Sequence, residues 1–130
     1  YIMTPIAYTP TDEQLRQIAE EITAEARYRA DDAESNGYDS YSTAEGFAEV
    51  ETAEASYWIE FGMKVWMRDN WAADVFECGA PWQTPVSIMV EVTSLDAMVN
   101  DNEIDIDEPS KDAIIARLND MFDNKLIKAA

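Results

Sequence analysis

The chain has 130 residues, with 27 aspartates and glutamates against 9 lysines and arginines, and a formal net charge of −18 at pH 7. Its hydrophobic residues, 47% of the total, can supply the core of one compact domain, so we expect a single domain over residues 1–130. The chain has no histidine and 1 cysteine. This excludes histidine-based nucleophile pairs, an intrachain disulfide and a cysteine-based zinc site.

The excess of acidic residues also restricts the partners. Attraction to nucleic acid or to an anionic membrane requires clustered lysine and arginine, so we expect no direct binding to either. No stretch approaches the roughly 18 apolar residues of a membrane-spanning helix, and residues 1–10 lack the features of a secretory signal. We therefore expect a cytoplasmic protein whose partner presents a basic protein surface.

The first predicted element is a helix that begins at Thr11. Thr11 and Gln14 have the spacing of a capping box, and Ile18 and Ile22 belong to an apolar stripe at helical spacing. Residues 30–43 are polar and contain an Asn-Gly pair, which predicts a loop.

An alternation with period two predicts the first pair of strands. In the segment from Tyr57 to Met67, apolar residues alternate with residues of varied polarity, and residues 47–52 show a shorter alternation of the same kind. The connection between the two segments is short, so we expect them to pair antiparallel.

The next segment, 69–85, is rich in glycine and proline and predicts a long excursion, with a short helical turn at 71–76. Val86 to Val92 alternate again, and the apolar phase then shifts, which predicts a bulge near Ser94. After a turn at 100–102, a short return strand is predicted through Ile104 and Ile106, with acidic residues on its other side.

A final helix is predicted from Pro109 or Ser110 to about Ile127. Its apolar face consists of Ile114, Ile115, Leu118, Met121, Phe122 and Leu126. The predicted architecture is α+β: a two-layer sandwich in which an N-terminal and a C-terminal helix pack on one face of a four-stranded antiparallel meander. The predicted core face is the one that carries Tyr57, Ile59 and Phe61.

The negative charge belongs to the predicted sheet and its loops, because the two predicted helices are nearly neutral. On the face opposite the core, carboxylates surround large aromatic side chains. One interpretation is a solvated acidic face whose tryptophans pack under the 69–85 excursion; the other is an interaction surface. The candidate partner-binding residues are Glu49, Glu51, Trp58, Glu60, Trp66, Glu91, Glu103, Asp105 and Asp107.

Duplex DNA carries one charge per about 1.7 Å of its axis, so 18 charges correspond to roughly 30 Å of duplex. The composition therefore resembles that of the acidic proteins, frequent in phages and other mobile elements, that imitate nucleic acid. Our leading hypothesis is a small non-enzymatic protein that blocks the basic surface of a nucleic-acid-binding protein. The alternative is a structural or assembly module that forms a homodimer through the tryptophan-bearing face, with the acidic residues serving only solubility.

A third hypothesis is a calcium-linked adaptor. Asp32, Glu34 and Asn36 match the first positions of a calcium-binding loop, but Thr43 stands where a bidentate glutamate is needed. The pattern therefore favours an ordinary turn, and we expect no metal and no cofactor. Glu60 and Glu91 are candidate paired carboxylates, but no nucleophile motif or phosphate-binding loop accompanies them, so we expect no enzymatic activity.

Overall fold

A computed structural model of the protein describes residues 4–31, 41–70, 82–123 and 126–128. Its sheet is antiparallel with the strand order β1-β2-β3-β4, and a short fifth strand pairs with β3. The α+β architecture predicted from the sequence is confirmed. In chain order the elements are α1 (Asp12–Ala30), β1 (Tyr41–Glu51), β2 (Ala55–Asn70), β3 (Trp82–Val99), β4 (Asn102–Ile104), α2 (Glu108–Phe122) and β5 (Ile127–Lys128).

Helix α1 begins where the capping box predicts. The backbone N–H of Gln14 donates to Thr11 Oγ1 at 3.1 Å, and the backbone N–H of Thr11 donates to Gln14 Oε1 at 2.8 Å. Each residue thus satisfies a backbone donor that the first helical turn leaves without a partner. The buried stripe that includes Ile18 and Ile22 then packs on the sheet.

Both helices pack on the same side of the sheet, which we call the inner face; the opposite side is the outer face. Helix α1 lies mainly over β1, and α2 lies over β3. Tyr57, Ile59 and Phe61 of β2 are buried beneath them in one continuous core. The predicted core face is therefore confirmed.

Strand β1 is longer than predicted, because it begins at Tyr41 rather than at residue 47. The inner-face residues in the added part, Ser42, Ala44 and Gly46, are small, so the sequence shows no alternation of large apolar residues there. Gly46 is needed because the ring of Phe61 lies against it: a Cβ at position 46 would lie 2.7 Å from Phe61 Cε2. The predicted loop through residue 43 is wrong at its C-terminal end.

The β2–β3 hairpin also extends further than predicted. The paired residues continue to Asn70 and Trp82, so the predicted excursion over 69–85 is too long at both ends. The predicted helical turn at 71–76 lies outside the described residues. Backbone pairing needs no hydrophobic alternation, which explains why sequence pattern missed these strand ends.

Two bulges set the phase of β3. Glu60 pairs with Ser94 and Phe61 with Val92, which leaves Thr93 as the extra residue and confirms the bulge predicted near Ser94. A second shift leaves Val86 unpaired between Ser87 and Pro85. Val86, the first residue of the predicted alternation, is 39% exposed, whereas Ile88, Val90 and Val92 are buried.

The edge of β3 that faces away from β2 is covered at three places. Strand β5 pairs with Ser87 and Ile88, and β4 pairs with residues 97–99. Between them Asn119 of α2 forms two hydrogen bonds with Val92: the Val92 N–H donates to Oδ1 at 2.7 Å, and Nδ2 donates to the Val92 carbonyl at 3.1 Å. The side-chain amide thus replaces a neighbouring strand.

The C-terminal segment differs from its prediction. Helix α2 ends at Phe122, and Ile127 pairs with Ile88 in β5 instead of extending the helix. Leu126, predicted on the apolar face of the helix, is 60% exposed. The hydrophobic spacing could not reveal this ending, because the competing partner of Ile127 is a strand distant in sequence.

The N-terminal segment lies along the start of α2. Ile6 forms a parallel bridge with Ile106, so Ile106 does not continue the predicted return strand beyond β4. The hydroxyl groups of Tyr8 and Tyr57 form a hydrogen bond of 2.5 Å. Burial, together with this hydrogen bond, raises the pKa of Tyr57. The buried Tyr57 hydroxyl is therefore a polar group within the core whose hydrogen bond is satisfied by Tyr8.

Replacement of Thr11 tests the capping box. Thr11→Ala removes the side-chain acceptor for the Gln14 N–H, so we expect the free energy of unfolding to fall by about 1 kcal/mol in urea titration. Thr9→Ala, at a nearby exposed threonine for which no side-chain hydrogen bond is described, is the control and should change it little. Equal values for the two variants would show that the box contributes nothing.

Two glycines on adjacent strands form a matched pair for testing the packing of Phe61. Gly46→Ala places a methyl group against the Phe61 ring, so we expect a loss of about 1–3 kcal/mol in the free energy of unfolding. Gly62→Ala adds the same methyl group where no atom lies within 4 Å, and stability should be unchanged or slightly higher. Similar losses at both positions would contradict the proposed close contact.

Candidate functional site

The strand register determines which side chains share the outer face. Four successive rows of paired residues cross the sheet from β1 towards β4. The rows are Glu45–Gly62–Glu91, Phe47–Glu60–Ser94, Glu49–Trp58–Asp96 and Glu51–Ser56–Met98–Glu103.

These rows contain seven carboxylates, all exposed, and no lysine or arginine. We call this surface the acidic outer face. Its carboxylates surround Phe47, Trp58 and Met98. Its acidic members are Glu45, Glu49, Glu51, Glu60, Glu91, Asp96 and Glu103.

No row pairs two carboxylates directly. Gly62 lies between Glu45 and Glu91, and Trp58 lies between Glu49 and Asp96. Because like charges on directly paired residues destabilise a sheet, this interleaving lets the face carry a high charge density at a reduced cost.

The charge density is comparable with that of duplex DNA. Six residue steps along β1 and three strand spacings across the sheet give a surface of about 20 Å by about 14 Å. A duplex segment about 20 Å long carries about 12 phosphates, of which about six lie on one side. The seven carboxylates of the acidic outer face match that number.

Six of the predicted binding residues come together on this surface. The structure adds Glu45 and Asp96, which sequence reasoning missed. Glu45 was missed because β1 was expected to begin two residues after it. Asp96 could have been found, since the predicted bulge near Ser94 already turns it away from the core. The six are Glu49, Glu51, Trp58, Glu60, Glu91 and Glu103.

Trp66 belongs to a different part of the outer face. It pairs with Tyr41, and the two ring centroids are 5.9 Å apart with an interplanar angle of 44°. Lys64 Nζ lies 5.3 Å from the centroid of the Tyr41 ring. This aromatic cluster is about 13 Å along the strands from the row of Glu45, so the register does not bring Trp66 beside the carboxylates.

Asp105 and Asp107 are not on the outer face, because β4 ends at Ile104. The carbonyl of Asp105 accepts a hydrogen bond of 2.8 Å from the Ile6 N–H. Asp107 is the N-cap of α2: its Oδ1 accepts from the Ser110 N–H at 2.8 Å. Hydrogen bonds from the side chain and backbone of Ser110 lower the pKa of Asp107. The predicted strand through residue 107 is therefore wrong, and Asp107 stabilises a helix.

The structure describes the candidate catalytic pair but not the candidate calcium site. Glu60 and Glu91 are exposed on neighbouring strands but face Ser94 and Gly62, so they are not directly paired. Across the described ranges no three acidic, histidine or cysteine side chains are grouped so as to hold a metal ion. The predicted calcium candidates Asp32, Glu34 and Asn36 lie outside the described residues.

Protein-family models, the sequences of characterised proteins and solved structures gave no significant match to this chain. Neither α1 nor α2 combines the length and the apolar composition needed to cross a membrane.

Replacement of Asp107 tests its assignment as a cap. Asp107→Ala should lower the thermal unfolding midpoint at pH 7, because it removes the acceptor for the Ser110 N–H. The folded-state pKa is lowered, so the carboxylate stabilises the fold above its unfolded pKa of about 3.9, and this contribution is lost as the pH falls through the folded value. The midpoints of the variant and the unmodified chain should therefore converge below about pH 4.

Glu103→Ala is the control for this comparison, since Glu103 is exposed on β4 and caps no helix. It should leave the midpoint at pH 7 almost unchanged. A midpoint for Asp107→Ala that equals the control at every pH would contradict the cap assignment.

Proposed function

We propose that this protein is a non-enzymatic binding protein whose acidic outer face binds a basic protein surface, and that it imitates nucleic acid to block a nucleic-acid-binding protein. The observation that supports this most directly is the set of seven exposed carboxylates in four rows of one sheet face. Charge of that density attracts a basic surface at long range and accelerates association.

The sheet holds the carboxylates at defined spacings. Outer-face residues recur about 6.7 Å apart along a strand, and neighbouring strands are about 4.8 Å apart. Their backbones are fixed by strand pairing and by the buried inner face beneath them. A preorganised array loses less conformational entropy on binding than carboxylates on a flexible tail would lose.

Aromatic side chains give the surface a second mode of contact. Trp58 is half-buried between Glu49 and Asp96, and Phe47 is 42% exposed. An arginine side chain can place its guanidinium over an indole while it hydrogen-bonds a carboxylate. The face therefore combines charge with apolar anchors of the kind that dominate protein interfaces.

The carboxylates are available for a partner. Within the described part of the chain, the one ion pair made by the acidic outer face joins Asp96 to Lys111 of α2 at 3.6 Å. The Asp96 side chain is 71% exposed, and such surface pairs contribute about 0–1 kcal/mol, so a basic partner can displace Lys111.

The homodimeric module is less favoured by the same geometry. A dimer through the acidic outer face would bring seven carboxylates of each copy together, and every copy carries a net charge of −18. A basic partner instead relieves that repulsion.

We propose the cytoplasm as the location and a phage or other mobile element as the source, since such an element gains by blocking a host nuclease or repressor.

Charge reversal on the sheet tests the binding surface. The triple variant Glu49→Lys, Glu51→Lys and Glu60→Lys should abolish capture of basic partners from a lysate of the host cell, because it replaces three of the seven carboxylates with cations. Retained proteins are identified by mass spectrometry. Those captured by the unmodified chain should be lost at high salt and displaced by added duplex DNA.

The matched control reverses three exposed helical acids, Glu21, Asp112 and Asp120, so its net charge equals that of the sheet variant. It should retain the partners. Equal loss in both variants would show that net charge matters and the sheet surface does not. Capture that persists at high salt and resists DNA would contradict imitation of nucleic acid.

A further inference from the structure

Strand β1 forms the end of the sheet opposite to β4. It pairs with β2 along one side, and no strand in the described ranges pairs with its other side. Gln17 of α1 marks that side: its Nε2 donates to the Glu51 carbonyl at 2.7 Å. The Thr52 N–H donates to the Ala55 carbonyl of β2 at 2.8 Å, so the backbone groups of Thr52 face β2 and those of the preceding residue, Glu51, point away from it.

Alternation then assigns the remaining backbone groups of β1. In an antiparallel pair the N–H and C=O of one residue point to the same side of the strand, and those of the next residue point to the opposite side. Thr43, Glu45, Phe47 and Glu49 therefore direct their backbone groups to the same side as Glu51. We call this the open edge of β1.

The open edge is made by residues of the acidic outer face. Glu45, Phe47, Glu49 and Glu51 direct their side chains to that face and their backbone groups to the edge. No described hydrogen bond uses the edge groups of Thr43, Glu45, Phe47 or Glu49. A segment lying along the edge would meet unpaired donors and acceptors together with three carboxylates.

The opposite edge of the sheet, formed by β3, has partners for its backbone groups. There β5, Asn119 and β4 cover β3, as described above. On the open edge of β1, Gln17 covers the Glu51 carbonyl, and within the described ranges the rest of the edge is protected by charge, which discourages pairing with a second, equally acidic copy. The same charge favours an added strand of opposite sign.

We propose that the open edge of β1 accepts an extended basic segment of the partner as an additional β-strand. This inference rests on the proposed function and specifies how the same surface engages its partner. Backbone hydrogen bonds to the open edge would supply affinity, and alternate side chains would supply specificity.

The surfaces on either side of the edge indicate the side chains that suit such a segment. On the outer face, lysine or arginine at alternate positions would approach Glu45, Glu49 and Glu51, and Phe47 would pack against an aliphatic stem. On the inner face, β1 carries small residues at this edge, including Ala44 and Gly46. Residues of modest size therefore suit the positions in between.

The test uses three peptides of the length of β1, 11 residues, in which lysine alternates with threonine. One is unmodified, one is N-methylated at every lysine, and one is N-methylated at every threonine. All three have the same charge, but each methylated peptide lacks the backbone donors along one of its edges. Dissociation constants are measured by fluorescence anisotropy with the full chain.

One methylated peptide should bind at least about tenfold more weakly than the unmodified peptide, and the other should bind similarly to it, because one edge of an added strand faces β1. Equal binding of all three peptides, or equal weakening of both methylated peptides, would overturn edge pairing while leaving charge recognition by the face intact. Failure of the unmodified peptide to bind would count against the proposed function as well.

Amide hydrogen exchange locates the contact. Addition of the unmodified peptide should slow exchange at Thr43, Glu45, Phe47 and Glu49, whereas Ala48, whose N–H points to β2, is the internal control and should change little. Unchanged exchange at the four amides with peptide bound would overturn the proposal. Protection of the same amides in the chain alone, rising with its concentration, would also overturn it and assign the edge to a second copy.

Discussion

The pairing register of β2 with β3 is the constraint on which the rest of this structure depends. Side chains alternate between the two faces of a strand, so a slip of one residue would exchange the inner and outer sets. The bulge at Thr93 lets Val92 and Leu95 both reach the core and turns Asp96 outward. The bulge at Val86 likewise turns that residue to solvent. The side chains that β3 contributes to each face follow from these two irregularities.

This register separates apolar packing from charge. The inner face and two nearly neutral helices form the core, whereas the outer face concentrates carboxylates around Trp58 and Phe47. Self-repulsion among these carboxylates lowers the stability of the folded chain, and a basic partner would recover that energy on binding. The edges follow the same division: Asn119 and two short strands cover β3, and the edge of β1 presents charge.

Much of the fold is determined locally and could be predicted from sequence. Thr11 and Gln14 define the start of α1 because their hydrogen bonds lie within one turn. The alternation around Tyr57 identifies β2, because every second residue must enter the core. The bulge near Ser94 appears as a break in that period. The presence of acid on the sheet rather than on the helices also follows from the residue order.

Other features required the tertiary structure, because they depend on partners distant in sequence. Ser42 and Gly46 belong to β1 because β2 supplies their hydrogen bonds and the Phe61 ring occupies the space a side chain would need. Ile127 leaves the helical pattern because β3 offers it a strand partner. Asp107 caps α2 instead of joining the acidic outer face because β4 ends early. Residue types and spacing thus determined most of the helices and strands and the negative sign of the surface charge, whereas long-range pairing decided which carboxylates share one face.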